Sequence, residues 1–285
     1  MSRPAVPRRA FTVPLPRGGA LVLGARTLVM GVLNVTPDSF SDGGDFVDPE
    51  RAVAQAIRMV GEGADIVDVG GESTRPGATP VSPEEETARI LPVIEAIARR
   101  VDVPISADTR HAEVARAALR AGAAIVNDVS GLSDPAMAAV AAEARAALVL
   151  MHMRGTPADM AGRADYDDAA AEVAEELRAA VGRAIEAGVA REAILVDPGI
   201  GFAKTAAHSA EVLRRLPEIA ALGHAVVIGP SRKSFLTQFR DVPPKERLHL
   251  TIGAVLAGVA NGAHVVRVHD VGPVVDAVRA FEALT

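Results

Sequence analysis

The 285-residue chain holds 49% hydrophobic residues and 25 glycines with no Ser- or Gln-rich linker, as suits a globular α/β protein. A formal charge of -6, with 7 Phe, 1 Tyr and no Trp, argues against a nucleic-acid platform; the absence of cysteine excludes disulfides, thiolate metal sites and a cysteine nucleophile, and fits a reducing cytoplasm. The basic N-terminal SRPAVPRRAF lacks the apolar core of a signal peptide, and the most apolar stretch, 251–268, contains Asn261, His264 and Arg267, so no membrane span is expected.

In chain order, FTVPLP (11–16) and ALVLG (20–24) flank Arg17-Gly18-Gly19 and predict a short N-terminal β-hairpin. The apolar run from Leu28 breaks within MGVLNVTPDSFSDGG (30–44), where a strand end turns into a polar, glycine-terminated loop. A helix follows over 49–61, with Asp48 at its N-cap and Gly63 beyond its end. Strands at 65–69, 104–107, 124–127, 147–151, 193–197, 225–229 and 264–268 then alternate with helices at 83–100, 111–121, 135–143, 168–187, 208–216, 246–260 and 273–283. Counted from Leu28, this makes eight strand and helix pairs.

Length alone permits two domains, but eight successive units predict one closed (β/α)8 TIM barrel over 27–285, preceded by an extension and hairpin over 1–26. The rival is an open Rossmann-like sheet. No GxGxxG opens the first helix, and every polar motif follows a strand: GESTRPG, ADTR, NDVSG, MHMRGTP, DPGIGF, PSRKS and RVHDVG. All the chemistry therefore falls on the C-terminal rim, where barrel enzymes work.

In order and in position, NVTPDSFSDGG, GESTRPG, DPGIGF, SRKSF and RVHDV resemble the motifs of the dihydropteroate synthases, in the pterin-binding barrel family. The resemblance runs from about Thr27 onward. It implies condensation of 6-hydroxymethyl-dihydropterin pyrophosphate with p-aminobenzoate, which gives dihydropteroate and pyrophosphate.

The side chains suit that chemistry. A pterin edge presents an exocyclic amine beside a ring NH and needs acceptors in its plane. Strand alternation can turn Asp108, Asp197 and Asn127 toward the barrel interior, although Asp108 also reads as a cap of helix 111–121 and Asn127-Asp128 as turn residues. Lys233 can donate to the pterin carbonyl or ring nitrogen, or else is a solvated surface lysine. Arg267 and His269, at i and i+2 on a strand, share a face near the usual phosphate site of a barrel; the plainer reading pairs Arg267 with a carboxylate and packs His269. Ser231, Arg232 and Ser234 lead toward the next helix, whose free backbone N–H groups can hold an anion.

The resemblance implies further roles. Arg267 stacks on the pterin and holds pyrophosphate; Thr74 joins the pterin pyrophosphate contacts; Asp42 and Arg75 join the chemistry. Phe40, Pro76 and Phe202 wall the aminobenzoate and Ser234 binds its carboxylate, while Phe202 reads equally as core. Asn34 is the protein ligand of a Mg²⁺ that arrives with the pyrophosphate, or a residue that satisfies its own loop. Loops 36–44 and 73–77 fold over the site, and a homodimer is implied.

Pro230 and Ala203 depart from the family pattern, Ala203 where a second glycine is frequent. His111, His152, His208, His224, His249 and His264 form no HxH or HExxH cluster and read as surface or helix-cap residues, so bound zinc is not expected. Three competing readings stand beside this one: a methyltetrahydrofolate-corrinoid methyltransferase, a non-catalytic pterin-binding homologue, and another phosphate-processing barrel enzyme.

Overall fold

The computed structural model describes residues 8–36, 49–73 and 80–285. Strands β1 (Phe11–Pro14) and β2 (Ala20–Leu23) pair antiparallel, with Val13 opposite Leu21. Alternation buries Val13, Leu21 and Leu23 on one face and leaves Val22 exposed on the other. The predicted turn residues Arg17 and Gly18 take positive φ, 64° and 84°, in a short 3-10 segment.

Eight parallel strands follow: β3 (Leu28–Asn34), β4 (Ile66–Gly70), β5 (Ile105–Asp108), β6 (Ile125–Asp128), β7 (Ala147–Met151), β8 (Ile194–Asp197), β9 (Ala225–Ile228) and β10 (Val265–Val268). Each pairs with the next and β10 closes onto β3, so the sheet has no free edge. The helices of the described residues are α1 (Pro49–Gly61), α2 (Pro83–Ala98), α3 (Ala112–Ala121), α4 (Met137–Ala144), α5 (Ala169–Glu186), α6 (Ala206–Arg214), α7 (Leu216–Ala220), α8 (Leu248–Ala260) and α9 (Val271–Leu284). Side-chain oxygens start several of them: Ser82 accepts from Glu85 N at 3.2 Å, Asp168 from Ala171 N at 2.9 Å and Thr205 from His208 N at 3.1 Å.

Strand alternation sorts the core into two layers. Odd positions of β3, such as Val29 and Leu33, pack outward under the helices, whereas Leu28 and Met30 point inward. The inward set continues with Ile66, Ile125, Val149, Leu195, Val227 and Val265, and the same cluster includes Val13, Leu21 and Leu23 of the hairpin. The hairpin thus seals the N-terminal end of the barrel. Burying each of these aliphatic side chains stabilises the seal by about 2 kcal/mol.

Two predicted helices differ. The segment expected at 208–216 is two helices, because the chain turns at Arg215 and Pro217 starts a new one. The helix expected from 246 begins at Leu248, after a 3-10 turn at Pro244–Glu246. The expected N-cap Asp48 lies outside the described residues. No helix of the described residues is long and apolar enough to cross a membrane.

Candidate active site

The inward phase that is apolar at the N-terminal half of each strand turns polar at the other end. Following Met30, Ile66, Ile125, Leu195 and Val265 by one strand repeat or two leads to Asn34, Asp68, Asn127, Asp197 and Arg267. Asp108 keeps the same phase on β5, because Ile105 and Ala107 pack outward. The barrel therefore presents acids, amides and cations together at one mouth.

Arg267 is the centre of this layer. Its Nε donates to Asp68 Oδ2 at 2.6 Å and its Nη2 donates to Asp108 Oδ2, while Asn127 Nδ2 donates to Asp68 Oδ2 at 3.2 Å. Burial would lower the arginine pKa, but the fields of Asp68 and Asp108 outweigh it and the pKa rises. Burial lifts Asp108 to about 7, with Arg267 opposing it and Asp68 adding to it. Asp68 Oδ1, Asp108 Oδ1 and Ser106 Oγ are buried with no hydrogen-bond partner among the described residues. Three orphaned polar atoms in one wall are an invitation to a ligand that carries donors.

The loop after β8 supplies the facing wall. Gly199 N donates to Asp197 Oδ1 at 2.7 Å and orients that carboxylate. Gly199 sits at φ 65°, and a Cβ there would meet the His152 carbonyl oxygen at 2.0 Å, so only glycine fits. Lys233 Nζ donates to the Ile200 carbonyl and lies 4.2 Å from the centre of the Phe202 ring. Burial lowers Lys233 to about 7 and raises Asp197, and each opposes the shift of the other. Phe202 belongs to a small cluster with Val129, Met151, Met160 and Ala203, apart from the main core.

Loops seven and eight are tied to each other. Ser231 Oγ accepts from His269 N at 3.2 Å and meets His269 Nδ1 at 3.0 Å, and Arg232 Nε donates to Asp270 Oδ2 at 2.9 Å. Ser234 is exposed and opens only a five-residue 3-10 segment, Ser234–Gln238. The next α-helix starts at Leu248, close to its expected start at 246.

Arg267 is paired with carboxylates, as its plainer reading expects, on the inward phase of β10. Asp108 does not cap α3; Asp134 Oδ2 accepts from Ala112 N at 2.8 Å instead. The Asn127-Asp128 pair divides: Asn127 turns inward, while Asp128 accepts from Ser130 N at 2.9 Å and Leu132 N at 2.7 Å and holds the turn. Phe40, Asp42, Thr74, Arg75 and Pro76 lie outside the described residues.

The histidine reading needs correction. His152, His224 and His264 are buried, because each ring has backbone or side-chain partners that a sequence pattern does not display. His152 joins a chain behind the DPGIGF loop, with Lys204 Nζ at 2.9 Å from Nδ1 and Glu176 Oε2 at 3.0 Å from Nε2. Burial holds His152 down at about 4 and lowers Lys204 to about 7, so a neutral ring accepts from Lys204 and donates to Glu176. Lys204 also donates to the Phe202 carbonyl at 3.1 Å. Asp68 and Lys204 escaped the sequence reading; a carboxylate between two valines in IVDVG was the signal for the first.

Comparison with known proteins places this mouth in context. The profile described as pterin binding enzyme matches residues 30–269. The dihydropteroate synthase of Synechocystis sp. is 49% identical over 277 residues, 96% of each chain, and that of Escherichia coli K12 is 47% identical over 255 residues, 90% of each. Among solved structures, Xanthomonas albilineans dihydropteroate synthase with 4-aminobenzoic acid superposes with a TM-score of 0.88 at 42% identity, covering 96% of this chain and 98% of that one. A Yersinia pestis dihydropteroate synthase with a sulfonamide drug gives 0.89 at 40% identity, covering 97% and 99%.

Proposed function

The chain belongs to the dihydropteroate synthase family of pterin-binding enzymes, and from that premise we propose how its own side chains divide the condensation. The observation that carries the reading is the set of orphaned acceptors, Asp68 Oδ1 and Asp108 Oδ1, beside a charged Arg267. They suit the amine and ring NH of a pterin edge, with Asn127 and Asp197 completing the acceptors and Lys233 donating to the opposite side. The Arg267 guanidinium stacks on the ring and, with His269, receives the pyrophosphate; a planar, weakly hydrated cation suits both contacts.

In the reaction the methylene carbon–oxygen bond breaks, and pyrophosphate leaves with the electron pair. The neutral amine of p-aminobenzoate then forms the carbon–nitrogen bond and gives up a proton. The electron-rich pterin tolerates positive charge on its methylene, so dissociation runs ahead of attack and no strong base is required. Arg267 and His269 stabilise the departing charge, the largest demand on the protein. Phe202 supports the aminobenzoate ring and Ser234 its carboxylate, with Phe40 and Pro76 as further contacts; Thr74 joins the contacts to the pterin pyrophosphate, and Asp42 and Arg75 take part in the chemistry.

Asn34 ends β3 on the inward phase, and its neutral amide suits a hard cation that brings its other oxygen ligands with it. A bound Mg²⁺ would neutralise charge on the leaving pyrophosphate. The division into 1–26 and 27–285 accords with a hairpin that seals the barrel. A cytoplasmic homodimer accords with the family, and light scattering tests the stoichiometry.

The decisive assay supplies the pterin pyrophosphate, p-aminobenzoate and Mg²⁺ and follows dihydropteroate and pyrophosphate in equal amounts. Sulfonamides should compete with p-aminobenzoate. Tight pterin binding without turnover would overturn the catalytic reading.

A further inference from the structure

Behind the acceptor wall, on the side away from the barrel axis, three ligating side chains from three elements converge. Glu72 follows β4, Glu86 lies on the first turns of α2, and His111 precedes α3. One ligand atom from each falls within 4.8 Å of the others. Glu86 is fully buried, and among the described residues neither of its oxygens has a partner with hydrogen-bond geometry. His111 Nε2 is likewise buried without a partner among the described residues. An unpartnered carboxylate in a protein interior is costly, and an unpartnered imidazole nitrogen beside it doubles the anomaly.

Neighbouring cations do not resolve it. Arg110 donates to both oxygens of Glu72, at 2.9 Å and 3.0 Å, and makes no such contact with Glu86. Gly71 lets Glu86 approach the strand, since a Cβ there would stand 3.0 Å from Glu86 Cγ and 2.8 Å from Ile90 Cγ2. The chain therefore makes room for a carboxylate that it leaves unsatisfied.

We propose that Glu72, Glu86 and His111 form a binding site for a borderline transition dication, zinc above all, separate from the Mg²⁺ expected with substrate. Two carboxylate oxygens and one imidazole nitrogen suit zinc, whereas Mg²⁺ prefers an all-oxygen shell. Ligands of a tetrahedral zinc lie about 3.4 Å apart for bonds of about 2.1 Å, so side-chain adjustments of about an ångström close the site. Glu72 Oε1 accepts from both Arg110 and Val81 N, the latter at 3.2 Å, whereas Oε2 accepts only from Arg110 among the described residues and retains a lone pair for a metal; such outer partners are usual around metal ligands. Burial raises Glu86 to about 8, with Thr109 and Arg110 pulling it down and Glu72 and Asp108 pushing it up.

The test uses the full, tag-free chain, stripped with a chelator and titrated calorimetrically with ZnCl₂ in the presence of excess MgCl₂. One zinc should bind per chain and raise the melting temperature by about 5 °C when zinc exceeds its dissociation constant about 100-fold. Glu86→Gln and His111→Ala should each weaken binding at least about 10-fold. No zinc binding by the wild-type chain, or unchanged affinity in both variants, overturns the site. If the variants do not fold, the visible spectrum of the wild-type chain with CoCl₂ decides: perturbed bands support nitrogen and oxygen coordination, and a hexaaquo spectrum overturns it.

Discussion

Arg267 Nε stands 2.6 Å from Asp68 Oδ2, and the same guanidinium reaches Asp108, so one cation compensates two buried acids. Its removal strands like charges in the barrel mouth, next to Asp197, with Lys233 as the cation among the described residues that still offsets them. Arg267→Ala should lose about 3 kcal/mol of stability near pH 8 in urea titrations. The sign with pH follows from Asp108. Its folded pKa, about 7, lies above its usual value, so the folded chain holds a proton that the unfolded chain has released, and stability falls as pH rises from about 4 to 7. Without Arg267 that pKa climbs further, and the deficit of the variant should grow with pH. A deficit independent of pH from 5 to 8 contradicts the pairing.

The same variant separates anion binding from ring binding. Arg267→Ala and His269→Ala should each lower turnover by about 100-fold, with a larger loss of affinity for the pterin pyrophosphate than for a pterin without phosphates. Equal losses for the two ligands contradict the anion role.

Asp197 has one oxygen fixed by Gly199, and the other takes no hydrogen bond among the described residues. Asp197→Ala should weaken pterin binding by about 10- to 100-fold in calorimetry, the worth of a hydrogen bond to a charged acceptor, and change p-aminobenzoate affinity little. Unchanged pterin affinity rules out the contact.

Ser231 reaches the His269 ring and backbone from the neighbouring loop. Ser231→Ala should lower turnover by up to about 10-fold through loss of ring orientation, with pterin affinity preserved. A loss confined to pterin affinity speaks against it.

The barrel and its polar face were legible because period-two strands and the loops beyond them are local signals: Asp108, Asn127, Asp197 and Arg267 stand at strand ends, and Lys233 lies in the loop after β9. Asp68 was not, since it sits inside a strand that otherwise reads as plain core and acquires meaning only when Arg267 arrives from 199 residues away. His152 and Lys204 were missed for a related reason: the ring is held by Glu176, a glutamate within α5 that the sequence pattern leaves looking solvated, and Lys204 reaches the other ring nitrogen from 52 residues away. The sixth predicted helix stopped short of Pro217, but the short helix α7 that Pro217 helps to start was not expected.

The two glycines of the DPGIGF loop should behave differently on substitution. Both have positive φ, 65° at Gly199 and 81° at Gly201, so alanine costs about 1 kcal/mol of backbone strain at either. At Gly199 the new Cβ lands 2.0 Å from the His152 carbonyl oxygen, a backbone atom that cannot move without breaking the His152 N–H bond to the Asp197 carbonyl. At Gly201 it meets Lys233 Cδ at 3.0 Å, part of a flexible side chain that can turn away. Gly199→Ala should therefore lose at least about 3 kcal/mol of stability, whereas Gly201→Ala should fold with a loss near 1 kcal/mol and show its main defect in pterin affinity through displacement of Lys233. Equal melting temperatures for the two variants contradict this account of the loop.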